Sequence, residues 1–167
     1  MLTFTYLLGN VKTLPKRKWL HGVQDTSLAI PEQMRTRSRL NFQAESKRAG
    51  DEFEAIVEQH LSKTSKITAR NYEIPETGVE VDFVADNKVR TEFVEAKGGR
   101  SGGKKRPGAE RTDNVKKAVA NGAILKAVDP NTYYVVYFSA PPKTGSYADN
   151  MIKIALSAKY IDEIRYL

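Results

Sequence analysis

The sequence predicts an α/β fold in which helices flank a central β-sheet. Three observations predict it: helical apolar periodicity over residues 50–61, period-two alternation between residues 78 and 97, and the apolar run Tyr133–Phe138 after a second helical stretch. At 167 residues with 40% apolar content, the chain is long enough to bury a core. We expect a core domain at residues 49–167, preceded by a basic N-terminal extension at residues 1–48.

The first predicted helix runs from Gly50 to Leu61. Its apolar stripe is formed by residues at helical spacing, Phe53, Ile56, Val57 and Leu61. Glu54 and Glu58 lie one turn apart on its flank, where either could lean over the sheet edge or stay exposed, and exposure is favoured for Glu58. His60 lies on the stripe, so it is expected to pack rather than to bind a metal.

A strand at Lys66–Ile74, ended by Pro75, precedes a predicted β-hairpin. The hairpin strands are Gly78–Ala85 and Thr91–Lys97, joined by a polar turn at residues 86–88. Both strands alternate with period two, as half-buried strands do.

The hairpin places charged side chains on neighbouring strands. Glu80 and Asp82 are predicted on the face opposite the apolar residues Val79, Val81 and Phe83. On the second strand, Glu95 and Lys97 are two residues apart and therefore lie on the same face as each other. These groups can converge at one end of the sheet, where carboxylate oxygens suit Mg²⁺ or Mn²⁺ and a metal suits phosphodiester chemistry. The alternative is ordinary pairing of exposed charges, which contributes only a few tenths of a kcal/mol.

The segment Gly98–Gly108 contains five glycines and a proline and is predicted to be a flexible loop. It lacks the ending and glycine spacing of a phosphate-binding P-loop. The loop is either a linker or, as we favour from its place directly after Lys97, a lid that orders on DNA. Its basic side chains are Arg100, Lys104, Lys105 and Arg106.

The C-terminal half predicts two further helices and a strand. The helix Glu110–Ala127 has capping chemistry at Thr112 and Asp113, and its basic side chains either reach phosphates or stay in solvent; they are Arg111, Lys116 and Lys117. The strand Tyr133–Phe138 is predicted to be buried on both faces. A helix at residues 149–158 follows, and residues 160–167 either extend it or form an edge strand.

Charge and composition narrow the class of protein. The net charge is +7, and basic residues outnumber acids nine to three in residues 1–48 and seven to two in residues 98–117. Basic segments flanking an acidic centre suit a metal-dependent enzyme acting on a phosphate backbone. Two clusters, at residues 16–19 and 35–39, are either DNA contacts or solvated segments.

The absence of cysteine excludes disulfides, thiolate metal sites and cysteine nucleophiles. No apolar run approaches the ~20 residues of a membrane span. The apolar start, Met1–Leu8, lacks the flanks of a signal peptide. We therefore expect no membrane partner, no secretion, and a cytoplasmic protein, including the nucleoid or a phage-infected cell.

Three short motifs follow one another along the predicted elements. They are Gly50-Asp51-Glu52-Phe53-Glu54 on the first helix, Val81-Asp82 on the hairpin, and Glu95-Ala96-Lys97, which begins thirteen residues after Asp82. Between about residues 50 and 138 the chain resembles the PD-(D/E)XK nuclease superfamily. The resemblance implies a restriction-endonuclease-like fold with a central mixed β-sheet flanked by helices. Val81 stands where the family name has proline, a position without a catalytic role.

The resemblance also implies roles for individual residues. Asp82 and Glu95 would ligate one or two Mg²⁺ ions, for which Mn²⁺ could substitute, with the backbone carbonyl of Ala96 as a further ligand. Glu54 would support a metal directly or through water, and Lys97 would orient the attacking water. Glu80 and Glu92 are weaker candidates, expected to be structural or supporting.

By the same resemblance, the expected function is Mg²⁺-dependent endonuclease cleavage of double-stranded DNA by a homodimer, as in restriction-type, phage or mobile-element enzymes. One alternative is a structure-specific nuclease such as a Holliday junction resolvase. Another, from a different class, is a non-catalytic DNA-binding protein on the same fold.

Overall fold

The computed structural model of the protein describes residues 32–99 and 106–167, with the side chains of all of these except residues 32–39 and 42. The elements follow in the order α1 (Glu32–Thr64), β1 (Lys66–Ile74), β2 (Val79–Asp86), β3 (Thr91–Lys97), a 3₁₀ turn (Gly108–Glu110), α2 (Thr112–Val128), β4 (Tyr133–Phe138), α3 (Tyr147–Ser157) and β5 (Glu163–Tyr166).

Within the described residues, five strands form one mixed sheet in the order β1-β2-β3-β4-β5. The pairs β1–β2 and β2–β3 are antiparallel, whereas the pairs β3–β4 and β4–β5 are parallel. The two parallel connections contain α2 and α3, since parallel strands need a long crossover. The predicted α/β fold with a mixed sheet flanked by helices is confirmed.

Two apolar clusters hold the helices on the sheet. On one face α1 packs through Phe53, Val57 and Leu61 against β2, β3 and β4. On the other face α2 and α3 pack through residues that include Val115 and Ile152. Strand β4 supplies alternate residues to the two clusters and is buried throughout from Tyr134 to Phe138, as the sequence predicted.

The first helix is longer than predicted. It begins at Glu32 rather than Gly50, so the boundary predicted at residue 48 falls inside it. The described side chains from Leu40 to Arg48 are exposed, and burial begins at Ala49. An apolar stripe therefore marks only the part that packs on the sheet, and the upstream turns carry polar residues with adequate helix propensity. Residues 1–31 of the predicted extension lie outside the described residues.

The start of α2 and the C-terminal segment complete the comparison with the predicted elements. The N-cap of α2 is Arg111, without a side-chain capping bond, so the capping predicted at Thr112 and Asp113 is wrong and both residues lie in the first turn. The C-terminal segment forms the edge strand β5 instead of extending α3. The amide of Tyr160 ends that helix by donating to the carbonyl of Ala155.

The apolar side chains of β2 divide between the two sheet faces. Val79 and Val81 belong to the cluster under α2 and α3, whereas Phe83 belongs to the cluster under α1. The single apolar face predicted for these three residues is therefore wrong. The change of side coincides with Asp82, just before the first residue of β2 that pairs with β3.

Candidate functional site

Strand β2 separates from β3 at Asp82. The β2–β3 ladder contains four residue pairs and ends at Phe83 opposite Val94. One step beyond it, the amide of Ala96 donates to Oδ2 of Asp82 at 2.6 Å. A side-chain carboxylate thus replaces a backbone acceptor, which places Asp82 beside the Glu95-Ala96-Lys97 segment.

Glu95 and Lys97 form an ion pair at the same end of β3, between Oε1 and Nζ. The Glu95 carboxylate is almost fully buried, with 3% of its side chain exposed, whereas 22% of Lys97 is exposed. Glu95 also accepts from Nδ2 of Asn121 on α2, at 3.2 Å to each of its oxygens. The buried Glu95 carboxylate is therefore held by Lys97 on its own strand and by Asn121 on α2.

Glu54 reaches this end of the sheet from α1. A methyl group added to Gly98 would overlap the side chain of Phe53, so the glycine allows α1 to approach the end of β3 closely. The next residue, the half-buried Glu54, interacts electrostatically with Asp82 and Lys97. Direct contacts therefore join Asp82 to the Glu95-Ala96-Lys97 segment, and Glu54 lies within electrostatic range of Asp82 and Lys97.

Burial and mutual repulsion perturb two of these acids. Burial raises the pKa of Asp82, and the charge of Glu95 raises it further, against the opposing effects of the Ala96 amide and Lys97. Burial likewise raises the pKa of Glu54, followed by the charges of Asp82 and Asp51. Acidic groups whose ionised forms are disfavoured in the folded protein mark a place where a cation would be stabilising.

These shifts predict how stability depends on pH. A raised folded pKa means that the folded protein holds protons that the unfolded chain has already lost, so stability falls as pH rises through the range between the two pKa values. Asp82→Asn cannot ionise at this position and still offers an acceptor to Ala96. Without divalent metal, its melting temperature should exceed that of the wild type by a margin that grows from acidic to neutral pH.

The control for this prediction is Asp113→Asn, which changes an exposed carboxylate on α2. Melting curves of both variants and the wild type between pH 4 and 7 are the measurement. A difference between Asp82→Asn and the wild type that stays constant over this range would contradict the electrostatic account of the site.

The donor chemistry of the site fits a hard divalent cation. Asp82 and Glu95 offer carboxylate oxygens, and the resemblance to the PD-(D/E)XK superfamily implies the carbonyl of Ala96 as a further oxygen donor. Within residues 32–99 and 106–167, no three acidic or histidine side chains are close enough to hold one metal ion. This is compatible with Mg²⁺, which keeps several waters and commonly takes one or two carboxylates with substrate phosphates. Glu54 is accordingly suited to support through water.

The basic residues predicted to bind DNA are only partly described. Arg100, Lys104 and Lys105 lie outside the described residues, as does most of the predicted lid. Arg106 is exposed and lines an open groove with Pro141, Pro142, Lys143, Ser146 and Glu110. Arg111, the N-cap of α2, and Lys117 on that helix are exposed. Their Nη2 and Nζ atoms lie 3.8 and 3.6 Å from Oδ2 of Asp113, and Lys116 is also exposed.

The remaining acidic and histidine candidates make contacts outside the site. Glu92 is fully buried on the α1 side of the sheet and bonds to Arg165 and Asn87, which fits the structural role expected of it. Glu58 pairs with Arg70 at the surface. His60 packs edge-on against Tyr137, as expected for a packed histidine. Glu80 is exposed, and its charge contributes to raising the pKa of Glu54.

Sequence reasoning missed Asn121. It lies three residues after Ala118 and four before Leu125, both buried, so it occupies the packed side of α2. A polar side chain in that position needs a hydrogen-bond partner, which was the available signal.

Comparison with known proteins gives one distant structural match. No family model and no curated protein matches the chain. The structure of Pyrococcus furiosus SfsA in complex with Ca²⁺ is similar with a TM-score of 0.45 and 21% identity, over 72% of this chain and 56% of that one. The chain thus spans little more than half of that protein's length. Among the described residues, no helix is both long and apolar enough to cross a membrane.

Proposed function

We propose that this protein is a Mg²⁺-dependent DNA endonuclease with a PD-(D/E)XK-type centre on a restriction-endonuclease-like fold. One observation carries the proposal: Asp82, at the point where β2 leaves β3, accepts from the amide of Ala96, the residue between Glu95 and Lys97. This hydrogen bond holds the Asp82 carboxylate beside the Glu95-Ala96-Lys97 motif. Glu54, reaching over from α1, completes the group.

Each residue has a chemical task in this proposal. A bound Mg²⁺ would polarise the scissile phosphate and lower the pKa of a water molecule. Asp82 and Glu95 would hold the cation, with the carbonyl of Ala96 as a further ligand, and Glu54 would support it directly or through water. The ammonium of Lys97, partly exposed next to Glu95, would orient the attacking water and contact a phosphate oxygen.

Basic surfaces near the centre would hold the DNA backbone. The amide of Ser139, which follows β4, donates to the carbonyl of Lys97 at 3.3 Å, so the segment leading to the groove at Lys143 begins beside the centre. Arg106 lines the same groove, and Lys116 and Lys117 add positive charge on α2. Such contacts supply salt-dependent affinity without sequence preference. We propose a homodimer acting on double-stranded DNA.

The test is nicking of supercoiled plasmid by the purified protein, with Mg²⁺ and with EDTA. We expect cleavage only with the metal, and a loss of about 100-fold or more in Lys97→Ala, because removing one positioned donor that stabilises developing negative charge commonly costs that much. Lys63→Ala, an exposed lysine in the last turn of α1, is the matched control. Equal nicking by all three proteins, or nicking that survives EDTA, would contradict the proposal.

The substrate in the same assay separates the alternatives. Discrete bands from long linear duplex indicate a site-specific cutter, and a preference for four-way junctions indicates a structure-specific nuclease. DNA binding without cleavage under all metal conditions would instead indicate a non-catalytic DNA-binding protein.

A further inference from the structure

Asn121 connects α2 to the most deeply buried acid of the site. Its Nδ2 lies 3.2 Å from both carboxylate oxygens of Glu95, on a helix that contains none of the four residues predicted to be catalytic. The contact spans 26 residues of sequence, and Glu95 is only 2% exposed. A buried carboxylate with few partners depends strongly on each donor it has.

The chemistry of the contact fixes which end of the amide faces Glu95. An ionised carboxylate only accepts hydrogen bonds, so the NH₂ group of Asn121 must point towards it and the carbonyl oxygen away. The donor is also neutral. Unlike Lys97, it restrains the carboxylate without adding positive charge that would repel a cation bound to the same oxygens.

We propose that Asn121 is a positioning residue for Glu95, which holds the carboxylate in the orientation that binds the divalent cation. This inference rests on the proposed function, because it assigns Glu95 the role of metal ligand. Asn121 acts through Glu95 and contacts neither the cation nor the DNA. Partners that orient a metal ligand typically change metal affinity or activity by about 10- to 100-fold when they are removed.

A purely structural role for Asn121 makes a different prediction. Its place between Ala118 and Leu125 means that losing the hydrogen bond could simply loosen α2. In that case a variant would melt at a lower temperature but bind metal normally once folded. Metal affinity measured on folded protein therefore separates positioning from packing.

The experiment measures Mn²⁺ binding by electron paramagnetic resonance, together with plasmid nicking over a range of Mg²⁺ concentrations. Asn121→Leu keeps similar bulk but has no donor, and it should weaken Mn²⁺ binding about 10-fold or more and raise the half-saturating Mg²⁺ concentration to match. Asn121→Gln retains the amide and should restore most of the affinity. Asn150→Leu, an exposed asparagine on α3, is the matched control.

The outcomes distinguish this inference from the proposed function. Wild-type affinity in a folded Asn121→Leu variant, with the wild type itself binding metal and nicking, would overturn the inference alone. A wild-type protein that neither binds Mn²⁺ nor nicks DNA would overturn both. Should Asn121→Leu fail to fold, Asn121→Ser replaces it: reduced affinity supports positioning, and unchanged affinity contradicts it.

Discussion

Asp82→Asn is expected to lower the rate of DNA cleavage by at least roughly 1,000-fold while the protein stays folded. A metal ion supplies several kcal/mol of transition-state stabilisation, and each 1.36 kcal/mol is a factor of ten in rate. The variant removes the charge that would hold the metal. It keeps an oxygen that can accept from the Ala96 amide, the bond that fixes β2 beside the Glu95-Ala96-Lys97 segment.

The matched control for this prediction is Asp86→Asn on the same strand. Asp86 is the last residue of β2, where it accepts from the hydroxyl of Thr91 at 2.6 Å, a bond that asparagine can also make. Single-turnover cleavage rates at saturating Mg²⁺ are the measurement, with circular dichroism to verify folding. Equal loss of activity in both variants, or near-normal activity in Asp82→Asn, would refute the assignment of Asp82.

Arg165→Met is expected to destabilise the fold by about 3 kcal/mol, because it leaves the buried Glu92 carboxylate without its main cationic partner. Arg165 donates to the two oxygens of Glu92 at 3.0 and 3.1 Å, and the Glu92 side chain is 1% exposed. Glu163 raises the pKa of Arg165 most strongly, so the guanidinium stays charged at every pH of interest. For a domain of this size the change lowers the melting temperature by roughly 6–12 °C.

Urea denaturation of Arg165→Met, Glu92→Gln and the double variant measures this effect. The double variant should be more stable than the sum of the single changes predicts, because it removes the unpaired charge. Arg70→Met, at an exposed ion pair with Glu58, should change stability far less. A stability for Arg165→Met equal to that of the wild type would show that solvent satisfies Glu92.

Local pattern predicted most of the fold, because its elements follow simple periodicities. The bounds of β1, β3 and β4 were correct, since period-two alternation or a short apolar run defines each of them. The start of α1 was not predictable in the same way, since no apolar stripe marks the sequence there and the described side chains between Leu40 and Arg48 are exposed. Choosing between helix and strand for the last residues required tertiary contacts, because β5 is short and gains its partner only in the sheet.

The candidate site was predictable where it depends on residue type and strand geometry. Asp82, Glu95 and Lys97 follow from two neighbouring strands, and Glu54 from a helix that precedes them. Contacts that span large sequence distances left almost no local signal. Asn121 and Glu95 are 26 residues apart, and Arg165 and Glu92 are 73 apart. The separation of β2 from β3 at Asp82 left no signal either, because the alternation of apolar and charged residues in the sequence continues past this point although the side chains change sheet face there.

The most direct test of the metal site is the anomalous-scattering map of crystals of this protein soaked in Mn²⁺. The account predicts a peak at the end of β3, within coordination distance of carboxylate oxygens of both Asp82 and Glu95, that disappears in Asp82→Asn. A map with no peak there, or with manganese bound only at other carboxylates, would contradict it.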